Sequence, residues 1–152
     1  MVLFRIGNCN FIDDLTGAGT KLYGGRWSSV GKPGLYLASS RALSVLEVLV
    51  HLQPLFIPDN YCLLEVEIPE DSTQQVQVES LTENWKDVSP PAQLKKIGDA
   101  FLTERKYLAL QLPSAIVAAE FNFLVNPLHP AMAKVKILKQ QPFNFDNRLI
   151  KQ

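Results

Sequence analysis

Residues 16–51 read TGAGTKLYGGRWSSVGKPGLYLASSRALSVLEVLVH, from Thr16 to His51. Six of the eight glycines in the chain fall between Gly17 and Gly34. Glycine allows backbone at positive φ and lets a ligand approach the main chain closely. Lys32-Pro33-Gly34 is a strong turn signal. The apolar run Leu35-Tyr36-Leu37-Ala38 that follows predicts a short strand. Ser39 or Ser40 can then cap a helix by accepting a bond from a free backbone N–H. That helix is expected to run to about Gln53 and to stop before Pro54. Leu43, Val45, Leu46, Val48, Leu49 and Val50 cover most of its circumference, which predicts burial on more than one side. Ser40, Ser44, Glu47 and His51 fall on one polar stripe by helical spacing. The stripe faces water or a cleft. The glycine-rich frame carries one arginine, Arg26, one tyrosine, Tyr36, and one glutamate, Glu47.

Outward from this stretch, Val2 to Ile6 predicts a strand containing Arg5, and Asn8 to Thr20 a loop. Gly24-Gly25-Arg26-Trp27 is expected to be a tight turn, with Trp27 as its core support. Tyr61 to Ile68 alternates, with Cys62, Leu64, Val66 and Ile68 on one side and Glu65 and Glu67 on the other, so it reads as a half-buried strand. Val76 to Val78 is a further strand candidate, and Leu81 to Pro91 a loop around Trp85. Ala92 to Arg105 predicts an amphipathic helix on Leu94, Ile97 and Phe101. Extended segments are expected at Tyr107–Leu112, Ala115–Ala118 and Phe121–Val125. Lys134 to Lys139 suits a strand near a sheet edge. The sum is one α+β domain over residues 1–152, mostly antiparallel, with a few helices.

Composition narrows the function. The 152 residues balance 15 basic against 15 acidic side chains, and 47% are hydrophobic. Zero net charge argues against electrostatic capture of nucleic acid or of an anionic membrane. The charge is uneven: Glu65 to Asp87 holds seven acids and one lysine, and Lys134 onward five basic residues and one aspartate. These are two solvated faces, or a docking surface for a charged partner. No apolar run reaches the roughly 18 residues of a membrane span, and no N-terminal signal stands out, so the expectation is a cytoplasmic protein. Cys9 and Cys62 are too few for a disulfide framework or a metal cage, and Cys62 reads as a small core residue.

Several motifs fail on inspection. Gly17-Ala18-Gly19 lacks the third glycine of a dinucleotide fingerprint, because Leu22 stands there, and no helix is expected to follow it; Gly24 does not begin a P-loop. His51 and His129 lack the company of a zinc site, so no metal is expected. No G-x-S-x-G elbow is present.

Gly24-Gly25-Arg26-Trp27, Leu35-Tyr36-Leu37-Ala38, Leu46-Glu47-Val48-Leu49-Val50-His51, Pro113-Ser114 and Asn126-Pro127-x-His129-Pro130 occur in an order that resembles the RES-domain family. These are the toxin halves of RES–Xre toxin–antitoxin pairs. The similarity runs from Arg5 to about Lys139. The resemblance implies an ADP-ribosyltransferase-like fold. It implies a toxin that depletes cellular NAD⁺ by cleaving the nicotinamide–ribose bond, with water or inorganic phosphate as acceptor and no cofactor beyond these substrates. It also implies an Xre-like helix-turn-helix antitoxin as partner, with room for a homodimer within that complex. The family's catalytic positions fall on Arg26, Tyr36, Glu47 and Ser114, and substrate-binding positions on Arg5, Gly25 and Asn126.

Each assignment has a physical rationale and a plain alternative. Breaking the glycosidic bond builds positive charge on the ribose, so a carboxylate beside it is required. Glu47 fits that role, against an exposed helix stripe. Arg26 could clamp a phosphate bidentately, or hold its loop through carbonyls. Tyr36 could stack on the nicotinamide, or be a half-buried strand tyrosine. Ser114 could bond the carboxamide or ribose, or its own backbone. Arg5 could meet a phosphate, or be a strand-edge charge. Transfer of ADP-ribose to a protein, and an inert nucleotide- or partner-binding domain, are the competing functions.

Overall fold

The computed structural model describes residues 1–53 and 56–150. Seven strands form one mixed sheet in the order β4-β5-β6-β2-β1-β3-β7. They are β1 (Val2–Asn8), β2 (Leu35–Ala38), β3 (Tyr61–Glu67), β4 (Thr73–Gln75), β5 (Ala109–Pro113), β6 (Phe121–Val125) and β7 (Lys136–Phe143). Among these strands β4 and β5 run parallel, and the other pairs are antiparallel. The helices are α1 (Ala18–Tyr23), α2 (Arg41–Leu49) and α3 (Ala92–Glu104), with short 3₁₀ turns elsewhere. This is the α+β class that the sequence predicts.

Side chains alternate across the sheet and separate two cores. On one face Leu3, Leu35, Leu37, Leu64, Phe123 and Val125 meet Ile12 and the segment around Met132. Among the described residues this face is covered by the 9–15 loop and the 130–135 turn rather than by a long helix. On the other face Tyr36, Leu110, Leu112 and Leu124 pack under α3 through Leu94, Phe101 and Leu102. Ile6, Leu63 and Phe4 pack under α2 through Val45, Val48 and Leu49 on the same side. Two helices thus stand side by side on one face, and the space between them is where a site can form.

Ser40 is the residue that caps α2: its Oγ accepts from Leu43 N at 3.0 Å. The regular helix ends at Leu49, and tighter i→i+3 bonds to His51 N and Leu52 N carry the chain on. Burial of α2 is narrower than its composition predicts. Leu43 and Ser44 are buried, but Leu46 and Val50 are exposed. α3 follows its predicted apolar face, and its Arg105 cap is left-handed, with φ 53.

Three local expectations need correction, and a fourth gains a covalent bond. Residues 18–23 form a helix, where a loop is expected as far as Thr20; α1 buries no side chain and so leaves no apolar stripe to read. The strand near Val76 lies earlier, at Thr73–Gln75, although Val76 N still bonds to Gln111 O. Residues 115–118 form no strand, because Ser114 Oγ accepts from Ile116 N and Val117 N and curls the chain. Cys62 is a core residue, but it is also disulfide-bonded to Cys9 across β1 and β3.

Candidate active site

The central strands part at one place. β1 and β2 share a single register pair, Phe4 with Ala38. β1 and β3, by contrast, are paired along seven residues. Where β1 leaves β2, a cleft of about 710 Å³ opens between α2 and α3. Its floor is Phe4, Ile6, Tyr36, Leu112 and Asn122. Glu47 and His51 come from α2 and the turn after it, and Lys95 from α3. Of the polar stripe, Ser44, Glu47 and the exposed His51 therefore border the cleft, whereas Ser40 caps the helix instead.

Glu47 is held from behind. Its Oε1 accepts from Ser114 Oγ at 3.2 Å and from Asn122 Nδ2 in a short hydrogen bond. Both bonds fall on Oε1, which leaves Oε2 for a ligand. Ser114 is 3% exposed, and its oxygen also serves the Ile116 and Val117 amides. Ser114 does not line the cleft itself and is joined to it through its bond to Glu47.

Arg26 stands across the cleft in the glycine turn. Its Nη2 donates to the carbonyls of Trp85 and Asp87, the latter at 2.9 Å. Its Nε is buried without a partner among the described residues. Two carbonyls thus hold the guanidinium, as the plain alternative from the sequence has it. Burial pushes its pKa below the ordinary value, while Glu47 and then Asp87 pull it back up. An arginine remains charged under such shifts.

The turn that carries Arg26 is built by packing. Trp27 is 3% exposed, in the core as expected. Its N–H donates to Tyr36 Oη at 3.1 Å, and Tyr36 Oη shares a 2.9 Å bond with Ser28 Oγ. Burial raises the Tyr36 pKa and the two hydrogen bonds oppose that, so the phenol is neutral. Gly25 lies against the Tyr36 ring, and a Cβ there would meet Cε2 at 2.7 Å. Gly25 is thus required for contact with Tyr36. On its outer side the turn is docked to α3. Asp99 accepts from Ser29 N at 2.8 Å and from Ser29 Oγ at 2.6 Å. A Cβ on Gly98 would fall 1.7 Å from Trp27 O.

Arg5 also borders the cleft, where β1 and β2 separate. Its Nη1 donates to Ile12 O and Asp14 O at 3.4 and 3.3 Å. Burial lowers its pKa and Asp14 raises it. Asn126 lies elsewhere. It is 1% exposed, donates to Leu102 O at 3.0 Å and accepts from Leu128 N at 3.1 Å. Its amide is spent on the chain turn after β6, so the structure corrects its expected substrate contact to a structural one. His129 likewise caps the following turn, accepting from Ala131 N. The Asn126-Pro127-x-His129-Pro130 motif is therefore a folding element.

Sequence reasoning misses three contributors: Asn122, Gly98 and Lys95. A signal exists for two. Asn122 is an amide inside the apolar strand FNFLV, where asparagine is disfavoured. Gly98 is a glycine inside an otherwise well-formed helical pattern. Among the described residues, no three His, Cys, Asp or Glu side chains gather as a metal site requires. No helix there is long and apolar enough to cross a membrane.

The chain is similar to several known proteins. The RES domain profile matches residues 2–146. "Toxin Res" of Photorhabdus laumondii subsp. laumondii is 34% identical over 153 residues, covering 99% of this chain and 98% of that protein. "Prs ADP-ribosylating toxin" of Sphingobium sp. is 38% identical over 144 residues, covering 92% and 89%. A chain of the M. tuberculosis MbcT-MbcA toxin–antitoxin complex superposes with a TM-score of 0.77 at 16% identity, over 98% of this chain and 86% of that one. That likeness is one of fold.

Proposed function

The chain belongs to the RES domain family, and from that premise we propose that it is the toxin of a toxin–antitoxin pair, an enzyme that breaks the nicotinamide–ribose bond of NAD⁺. The observation that carries the reading is Glu47. Its carboxylate borders the cleft with Oε1 bonded to Ser114 and Asn122 and, among the described residues, no hydrogen bond on Oε2, and Arg26 lines the same cleft.

The chemistry follows from these positions. Nicotinamide leaves with the bonding pair of the C1–N bond, and the ribose takes on positive charge. A preorganised carboxylate stabilises that charge at little reorganisation cost. Two donors on Oε1 keep Oε2 aimed at the ribose. Arg26 supplies charge for the diphosphate, and the Tyr36 ring supplies a flat face for the base. Water attacking C1 gives ADP-ribose, nicotinamide and a proton. Inorganic phosphate attacking the same atom gives ADP-ribose 1″-phosphate. Arg5, on the β1 side, is suited to hold such an anion.

A second acceptor class has its own support. The name of the Sphingobium relative specifies ADP-ribosylation of Prs. Exposed Leu22, Tyr23 and Val30 lie beside the glycine turn and offer an apolar face to a macromolecule. The shared fold with a chain of the MbcT-MbcA toxin–antitoxin complex supports an antitoxin as partner; its Xre-like character is part of the proposal.

The test is to incubate the purified protein, free of antitoxin, with NAD⁺, with and without phosphate, and to resolve the products. ADP-ribose in both tubes identifies a glycohydrolase. ADP-ribose 1″-phosphate, formed only with phosphate, identifies a phosphorylase. Turnover only with an added protein that gains mass identifies a transferase. Intact NAD⁺ with a folded protein, under every condition, sinks the proposal in favour of a binding domain.

A further inference from the structure

We propose that Lys95 binds substrate, completing with Arg26 a two-cation clamp for the diphosphate of a dinucleotide. The inference rests on the NAD⁺ reading of the same cleft and assigns one more residue to it.

Lys95 lies in the first turn of α3 and borders the cleft with an exposed side chain. Among the described residues its ammonium has no hydrogen bond and no ion pair within 4.0 Å. The acid one turn along its own helix, Asp99, already accepts two bonds from Ser29. Asp87, on the segment after Trp85, accepts from Arg26 through its backbone carbonyl, and its carboxylate makes no ion pair among the described residues. Arg26 itself keeps a buried Nε without a partner. The α3 side of the cleft thus holds two cations, Lys95 and Arg26, against one nearby carboxylate, Asp87, while the α2 side holds the Glu47 carboxylate.

This polarity orients a dinucleotide. A phosphate group is repelled by Glu47 and attracted to the far wall, whereas the developing ribose cation needs Glu47. With the ribose at Glu47, the diphosphate comes to lie toward Arg26 and Lys95. Arg26 is partly buried and carbonyls hold its Nη2, which fixes the guanidinium and leaves Nη1 as the donor for one charge-assisted contact. Lys95 is a mobile point charge at the mouth, which suits capture of a hydrated anion. Arg5 lies at the β1 edge of the cleft, away from α3, with Nη1 directed to Ile12 O and Asp14 O, so its place is with an incoming anion rather than with the diphosphate.

The experiment compares wild type, Lys95→Gln, Lys95→Arg and Lys96→Gln in NAD⁺ cleavage at low and high salt. Lys96 follows on the same helix but does not border the cleft. Lys95→Gln is expected to raise KM roughly three- to tenfold with kcat little changed, the scale of one solvent-exposed charge-assisted contact. Its kcat/KM should also depend less on salt, because one screened contact is gone. Lys95→Arg should restore KM, and Lys96→Gln should match wild type. An unchanged KM and salt dependence in Lys95→Gln, or a fall confined to kcat, would overturn the assignment. If wild type leaves NAD⁺ intact, the functional reading is what has failed. Calorimetric titration with ADP-ribose then decides on Lys95: weaker binding to Lys95→Gln supports the clamp, and equal binding refutes it.

Discussion

Removing the Asn122 amide tests how Glu47 is prepared for chemistry. Asn122 sits on β6, opposite Ala38 of β2 and Leu112 of β5. From there its Nδ2 reaches Glu47 Oε1 on a different element, α2. In Asn122→Ala, Glu47 keeps the Ser114 bond at 3.2 Å and loses the shorter one. A hydrogen bond to a charged group contributes about 1.5–3 kcal/mol. If most of that is expressed in the transition state, kcat falls by roughly 10- to 100-fold. KM should move little, because Asn122 holds the carboxylate and not the diphosphate. The assay is initial-rate nicotinamide release, with circular dichroism to show a retained fold. A double mutant, Asn122→Ala with Glu47→Gln, should be no slower than Glu47→Gln alone, since residues that act as a unit are not additive. Wild-type kcat in Asn122→Ala, or fully additive losses in the double mutant, would refute the reasoning.

Three other perturbations probe the frame around the site. Gly98→Ala should destabilise the protein by about 3 kcal/mol and cut activity, because its Cβ collides with Trp27 O and lifts the Arg26 turn; a gain of about 1 kcal/mol, as at an exposed helical glycine, would contradict the docking. Asn126→Ala should lower stability by about 2 kcal/mol, measured by urea unfolding, because it strands Leu102 O and Leu128 N. Its kcat per folded molecule should match wild type, and a selective loss of kcat would return Asn126 to the site. Reducing the Cys9–Cys62 bond, which spans 53 residues, should cost roughly 4 kcal/mol on the chain-entropy model. A melting temperature that is the same with and without dithiothreitol would contradict that.

The strongly patterned elements are legible in the sequence, and the contacts made by the sheet are not. β2, α3 and the start of α2 follow from local signals: the turn before Leu35, the apolar face of Leu94 and Phe101, and the Ser40 cap. β4 is three polar residues whose pairing with β5 is parallel and long-range, so no alternation marks it. Residues 115–118 look extended by composition, but one hydroxyl, Ser114 Oγ, overrides that preference. Arg26, Tyr36 and Glu47 can be singled out because each stands beside the glycine-rich turn or on a polar stripe. The choice between Asn122 and Asn126 cannot be made from one chain. β6 register puts Asn122 level with Ala38 and under Glu47, and it carries Asn126 past the strand end. The cysteine pair has the same character: only the β1–β3 register brings Cys9 to Cys62.

The charged segments beside the sheet are also more than solvated faces. β7 is an exposed edge strand with Lys136, Lys139 and Pro142, and its pairing with β3 is irregular between Glu65 and Val66. Lysines, proline and a bulge each discourage edge-to-edge pairing between copies. The acidic stretch that begins in β3 is not left wholly to solvent either, since Glu65 pairs with Arg41 at 2.6 Å on the helix side. That pair anchors the start of α2, the helix that presents Glu47.

The central claim is that Glu47 carries the cleavage of NAD⁺. The most direct measurement is the rate of nicotinamide release by wild type and by Glu47→Gln at saturating NAD⁺, with thermal melts run on the same samples. The account predicts turnover by wild type, a loss of about 100-fold or more in Glu47→Gln, and a near-native melt for the variant. Comparable rates from two folded proteins would contradict it.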